Sequence, residues 1–141
     1  MQRKGSAVWR GGLKDGKGSV STESGILRET QYSFATRFES GAGTNPEELL
    51  AAAHAGCFSM ALSAQLGAAN LQPEEIRTTA TVSLEKVEGG FAITKVHLDC
   101  HAKVPNATHQ QFETAAGNAK SGCPVSKLFK GAEITLVATL D

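Results

Sequence analysis

The stretch 43–66, GTNPEELLAAAHAGCFSMALSAQL, constrains what this chain can fold into more than any other. Asn45 suits a helix N-cap, Pro46 the first helical position, and Glu47 and Glu48 the first turn, where carboxylates complement the positive end of the helix dipole. Leu49, Leu50, Ala51, Ala52, Ala53, Ala55, Cys57, Phe58, Met60, Ala61, Leu62 and Leu66 then put apolar side chains on nearly every side, the pattern of a buried helix. At ~1.5 Å per residue it runs roughly 30 Å, the width of a small domain, with Cys57 near its centre. A few short strands can hardly cover so apolar a rod. A second copy of the chain can, so the residues predict a homodimer with the long helices packed together.

Before this helix, residues 6–10, 18–22 and 32–35 read as three short strands joined by turns such as Lys14-Asp15-Gly16. Arg37 follows, then a flexible Glu39-Ser40-Gly41-Ala42-Gly43 loop. The helix is expected to end near Asn70, which tolerates left-handed geometry, and Pro73 keeps it from resuming. Ile76, Thr78, Ala80, Val82 and Leu84 alternate with polar residues, Gly89-Gly90 offers a turn, and Ala92, Thr94, Val96, Leu98, Cys100, Ala102 and Val104 form one face of a return strand. This is a long hairpin with one buried side. Thr108 and Gln111 form a capping-box pattern ahead of a second helix whose apolar face is Phe112, Ala115, Ala116 and Ala119, ending at Gly122. A short helix over 124–129 and a last strand carrying Ile134, Leu136, Ala138 and Leu140 complete the order βββ-α-ββ-αα-β, an α+β class in a single domain over 1–141.

Fourteen basic and fourteen acidic residues cancel, leaving no basic footprint for nucleic acid or a membrane surface. The N-terminus has no apolar run of the secretory kind, and polar residues from Glu47 to Gln65 interrupt the long helix as a membrane span. Three cysteines in such a chain suggest a reducing, cytoplasmic setting, where thiols serve chemistry or metals more often than staples.

Cys100 falls on the apolar face of the hairpin, where a free cysteine acts as a small hydrophobe. Cys57 alone could be equally inert. Cys123, between Gly122 and Pro124, stands where free N–H groups of the short helix would stabilise a thiolate. The two thiols could meet in space and form a reversible disulfide, or never meet. Zinc is the other reading: His54 and Cys57 share a helical face and Cys123 could be a third ligand, although no C-x-x-C pair is present. His54 otherwise reads as a packing residue with a satisfied nitrogen. Arg37 and Glu47 are the charged candidates, or else a solvated arginine and an ordinary helix-start carboxylate.

The run GTNPEELLAAAHAGCFSMAL, with SGCPVS at 121–126 and GKGSVSTESG at 16–25, resembles the OsmC branch of the OsmC/Ohr thiol peroxidases, the osmotically inducible protein C family. The resemblance covers the chain nearly end to end. It implies an OsmC-like fold, an intertwined homodimer in which two long central helices are enclosed by sheets from both chains. It also implies reduction of organic hydroperoxides, and hydrogen peroxide less well, by a two-cysteine cycle with no metal, haem, flavin or other cofactor. On this match Cys57 is the peroxidatic thiol, Cys123 the resolving thiol, and Arg37 and Glu47 the assisting charged pair. The reductant implied is an external dithiol of the dihydrolipoyl kind.

A peroxide reductase needs a thiolate, and burial in an apolar helix opposes ionisation; a guanidinium beside the sulfur favours it and can hydrogen-bond the peroxide. Glu47 would hold the Arg37 fork in position. An apolar pocket lined by Phe58 and Met60 is expected to favour alkyl hydroperoxides. Ten residues separate Glu47 from Cys57, about 15 Å along one helix. Each site is therefore expected to be composite, with Glu47 and Arg37 reaching Cys57 of the other chain; the alternative is a helix break near 53–56. The competing functions are a non-enzymatic redox sensor or lipid-binding module using the same pocket, and a small metalloprotein.

Overall fold

The first sheet is an antiparallel meander of β1 (Gly5–Arg10), β2 (Lys17–Thr22) and β3 (Thr30–Ser33), in spatial order β1-β2-β3. Gly18 is required on β2, because a Cβ there would collide with the rings of Trp9 and Tyr32, which lie 5.3 Å apart between centroids. Every residue of β1 is exposed within the chain. The structure, a computed structural model, describes residues 1–141, and the chain divides into two compact units, Met1–Leu49 and Leu50–Asp141.

The expected strand over 32–35 is shorter at its C-terminal end, because Ser33 starts a helix. Its hydroxyl accepts from Thr36 N–H while the Thr36 hydroxyl accepts from Ser33 N–H, a reciprocal box that nucleates α1 (Phe34–Phe38). Arg37 thus lies on a helix rather than at the mouth of a loop. The observed order, βββ-αα-ββ-αα-β, keeps the expected α+β sequence of elements and adds this one turn.

The long helix α2 spans Pro46–Ala68 without a break. Asn45 caps it as expected, its Oδ1 accepting from Glu48 N–H at 2.8 Å, and Asn70 adopts a left-handed φ of 56° just beyond its end. Within one chain α2 is covered along a single stripe. Only His54, Phe58, Leu62 and Leu66, spaced four apart on one stripe, are buried; Ala52, Ala53, Gly56, Ser63, Ala64 and Gly67 are exposed, and Met60 is 77% exposed. By length and composition α2 could cross a membrane, polar interruptions notwithstanding; here its inner stripe is built into a protein core.

That core belongs to the second unit. β4 (Glu75–Val87) and β5 (Gly90–Lys103) form the long hairpin, with a bulge between Ser83 and Leu84. From Val96 onward the alternation is as expected, with Val96, Leu98, Cys100 and Ala102 buried and their neighbours Lys95, Asp99 and His101 exposed. After the hairpin, α3 (His109–Gly122) and α4 (Pro124–Leu128) lead to β6 (Glu133–Leu140), which joins β5 in parallel. A parallel return needs such a crossover. Phe58, Leu62 and Leu66 of α2 share one apolar cluster with Leu98, Cys100, Phe112, Ala116 and Ala119.

The Thr108 hydroxyl accepts from Gln111 N–H at 3.2 Å, and the Gln111 side chain answers to Thr108 N–H at 3.0 Å. Thr108→Ala is expected to destabilise the protein by about 1 kcal/mol, read as a lower urea midpoint at unchanged m-value. An unaltered midpoint would show the cap to be dispensable.

Candidate active site

Arg37 and Glu47 meet. α1 presents Arg37 towards the first turn of α2, and Asn45 ties the two helices by donating its Nδ2–H to Thr36 O at 3.0 Å. Arg37 Nε donates to Glu47 Oε1 at 3.0 Å and Oε2 at 3.3 Å, and Nη2 donates to Oε1 at 2.8 Å. This side-on fork fixes the guanidinium plane and leaves Nη1 outside the pair. The guanidinium also lies 5.3 Å from the centroid of the Phe38 ring, a cation–π distance. Glu47 is the more sheltered partner, with 12% of its side chain exposed against 39% for Arg37.

Cys57 and Cys123 also meet, although 66 residues separate them. Both are free thiols, Cys57 half-buried on α2 and Cys123 fully buried at the junction of α3 and α4. Their side chains lie near enough for Cys123 to act on the ionisation of Cys57. Burial pushes the Cys57 thiol up, the adjoining Cys123 pushes it the same way, and a hydrogen bond from Val125 N–H pulls it down. The sequence placed the free N–H groups of α4 on Cys123; in the structure the Val125 N–H reaches Cys57 instead. Cys123 is itself the N-cap residue of α4, yet its side chain makes no capping hydrogen bond.

His54 and Ser126 form a second link between α2 and α4. His54 Nε2 lies 2.8 Å from Ser126 Oγ, both residues are buried, and Nδ1 has no hydrogen-bond partner. Burial lowers the His54 pKa, so the ring is neutral. No three His, Cys, Asp or Glu side chains gather in a way that could hold a metal ion. His97 is bonded to Thr135 and His101 is near Asp99 and Asp141. Cys100 is core, fully buried on β5 opposite Thr78, with its thiol pushed up chiefly by burial and pulled down by Thr78.

Phe58 and Met60 do not line one pocket within the chain. Two residues on a helix are about 200° apart, so Phe58 is sealed in the core while Met60 faces outward. A cavity of about 280 Å³ occurs instead in the first unit, lined by Trp9, Leu13, Tyr32, Phe34, Arg37 and Phe38. Its walls are mostly apolar and one charged group stands in them, the character of a small-molecule site. A roomier cleft of about 420 Å³, lined by Gln65, Gln110, Gln111 and Asn118, has no thiol or charged side chain. Sequence reading missed Trp9, Tyr32, Phe34 and Phe38. The Ser33–Thr36 box was the local signal for the last two.

An α+β chain with two reduced thiols held between a long helix and a short one, and an arginine clamped by a helix-start glutamate, defines a narrow class of dithiol proteins. The chain belongs to the OsmC-like protein family, whose sequence pattern matches residues 39–137. It is 56% identical over 136 residues to Peroxiredoxin OsmC of Escherichia coli strain K12, covering 96% of this chain and 94% of the relative. It is 33% identical over 92 residues to the organic hydroperoxide resistance protein of Xanthomonas axonopodis pv. citri, covering 64% of this chain and 63% of that one. Among solved structures, the organic hydroperoxide resistance protein OhrB of Bacillus subtilis superimposes with a TM-score of 0.70 at 26% identity, covering 98% of each chain.

Proposed function

We propose that this protein is a thiol-dependent peroxidase that reduces organic hydroperoxides to alcohols. The observation that carries the reading is the proximity of the Cys57 and Cys123 thiols, near enough for Cys123 to act on the ionisation of Cys57. The names of its relatives, a peroxiredoxin and organic hydroperoxide resistance proteins, support it. The Cys57 thiolate attacks the terminal peroxide oxygen, the O–O bond breaks, and the alkoxide takes a proton and leaves as the alcohol. Sulfur is oxidised by two electrons to a sulfenic acid. The Cys123 thiol then attacks the Cys57 sulfur, water leaves, and a disulfide forms. An external dithiol, of the dihydrolipoyl kind, resets the pair by two exchanges.

The local setting of Cys57 opposes ionisation on balance, so a cation is needed beside it. Arg37, oriented by Glu47, is the group suited to that work, with Nη1 left for the thiolate or the peroxide. Because α2 is unbroken, Glu47 and Cys57 are about 15 Å apart along it. The Arg37–Glu47 pair therefore serves Cys57 of a second protomer. The homodimer this requires is favoured by two surfaces, the exposed small-residue face of α2 and the wholly exposed β1 strand with Val8 and Trp9. The aromatic cavity beside Arg37 takes the alkyl portion of the substrate, the part first assigned to Phe58 and Met60.

The test is hydroperoxide consumption with a dithiol, across a panel from hydrogen peroxide to cumene and fatty-acid hydroperoxides. Rates are expected to rise with apolar substituents. Cys123→Ser is expected to keep a stoichiometric first turnover, lose catalytic turnover with the dithiol at excess peroxide, and accumulate further oxygens on Cys57 by intact mass. A wild-type protein that consumes no organic hydroperoxide under these conditions overturns the reading.

A further inference from the structure

The proximity of the two thiols has to be held by something, and the thiols themselves are poor anchors. The short helix α4 has five residues, far too few to be stable alone. Its N-cap, Cys123, makes no side-chain capping bond, and Pro124 at its start has no N–H to give. At its ends, Lys127 N–H donates to Cys123 O at 3.0 Å and Phe129 N–H to Val125 O at 3.0 Å. Beside the Val125 N–H at Cys57, what fixes α4 to α2 is the His54–Ser126 hydrogen bond, backed by the edge-on contact of the His54 and Phe129 rings at 5.3 Å and 75°.

The placement of this link is regular. His54 is three residues before Cys57 on α2, and Ser126 is three after Cys123. The 54–126 hydrogen bond and the 57–123 thiol pair are therefore set three residues apart on each segment, in opposite chain order. Since Nδ1 has no partner, the only polar tether of the imidazole is Ser126. The tautomer with its proton on Nε2 gives that proton to Ser126 Oγ and leaves only a lone pair at Nδ1.

The geometry points to His54 and Ser126 as a positioning pair that keeps α4 docked so that the Cys123 sulfur stays within reach of Cys57. The inference rests on the two-cysteine reading above, since it concerns the step in which Cys123 condenses with oxidised Cys57. In that step the Cys57 S–O bond breaks, the S–S bond forms, and the hydroxyl leaves as water with the Cys123 proton. An undocked α4 leaves the sulfenic acid waiting and open to a second peroxide.

The experiment separates the two steps in single turnovers of the full chain. In Ser126→Ala, disulfide formation after one equivalent of cumene hydroperoxide is expected to slow about tenfold, the scale of one lost hydrogen bond. The peroxide-consuming step is expected to change less than about threefold, since neither residue touches the Cys57 sulfur. Over-oxidised Cys57 should rise in parallel. His54→Leu should match Ser126→Ala, and His54→Gln, whose amide N–H can replace Nε2–H, should recover most of the wild-type closing rate. The same closure is read with glutathione disulfide as oxidant. That arm reports on the docking of α4 even where the wild type consumes no peroxide, so failure of the peroxidase reading and failure of this one are distinct. Wild-type closing rates in Ser126→Ala and His54→Leu, or faster ones, overturn the assignment, as does equal slowing in His54→Gln and His54→Leu.

Discussion

Serine in place of Cys57 is expected to abolish hydroperoxide consumption, a loss of about 10⁴-fold or more, the scale of removing a nucleophile that covalent chemistry depends on. The argument is one of charge. A hydroxyl at that position does not ionise near neutral pH, and nothing nearby supplies a base: His54 is turned to Ser126. The thiol begins at a disadvantage of its own, because burial and Cys123 raise its pKa while only the Val125 N–H lowers it. The sign follows directly. A raised pKa means a smaller thiolate fraction at neutral pH, so attack on peroxide should speed up as pH climbs through the Cys57 titration. Arg37→Ala, with the compensating cation gone, should move that titration to still higher pH and slow attack by about 10²–10³-fold, the loss typical of one well-placed electrostatic contact. Both effects are read by iodoacetamide alkylation of Cys57 against pH, alongside peroxide consumption. An alkylation curve in Arg37→Ala that overlays the wild type would sink the electrostatic account, and residual turnover in Cys57→Ser would reassign the nucleophile.

Elements whose signal is local were legible in the sequence. Thr108 and Gln111 announce α3, and the four residues Phe112, Ala115, Ala116 and Ala119 that its periodicity marks as inward are buried. The hairpin alternation likewise put Val96, Leu98, Cys100 and Ala102 inside. The apolar stretch 49–66 reads as a helix that one chain's strands can hardly cover, and Met60 and the small residues of its face are open within one chain. An apolar surface states that something will cover it and not which chain supplies the cover. Phe58 and Met60 were grouped by character, and helical phase separates them. α1 was hidden because Tyr32 and Phe34 alternate like a strand, whereas the Ser33–Thr36 box decides for a helix. The His54–Ser126 bond had no signal at all. It joins residues 72 apart, and only the docking of α4 brings them together.

The second large effect concerns the proposed dimer and tests whether the site is shared. A Cβ at Gly56 would meet nothing within 4 Å, and arginine is a better helix former than glycine. Gly56→Arg should therefore leave the protomer folded. Its long charged side chain, in the middle of the exposed face formed by Ala52, Ala53 and Met60, would keep a second α2 from approaching. The expected result is a monomer by light scattering, with reduced Cys57 and Cys123 still able to close on glutathione disulfide, and peroxide turnover reduced by about 10²-fold or more for want of the partner's arginine. A monomer with full turnover would refute the shared site. A mixing experiment goes further, because it does not depend on breaking the dimer. Arg37→Ala and Cys57→Ser proteins are each expected to retain at most about 1% of wild-type turnover by themselves. In a twofold-symmetric dimer with sites made from both chains, a mixed dimer has one site with both defects and one with neither. Random re-association of equal amounts should then restore about a quarter of the wild-type activity. If each chain's arginine served its own cysteine, every site in the mixture would have one defect and no activity would return. The outcome thus turns on which protomer supplies the cation, the point at which the ten-residue spacing of Glu47 and Cys57 along an unbroken helix is put to its hardest use.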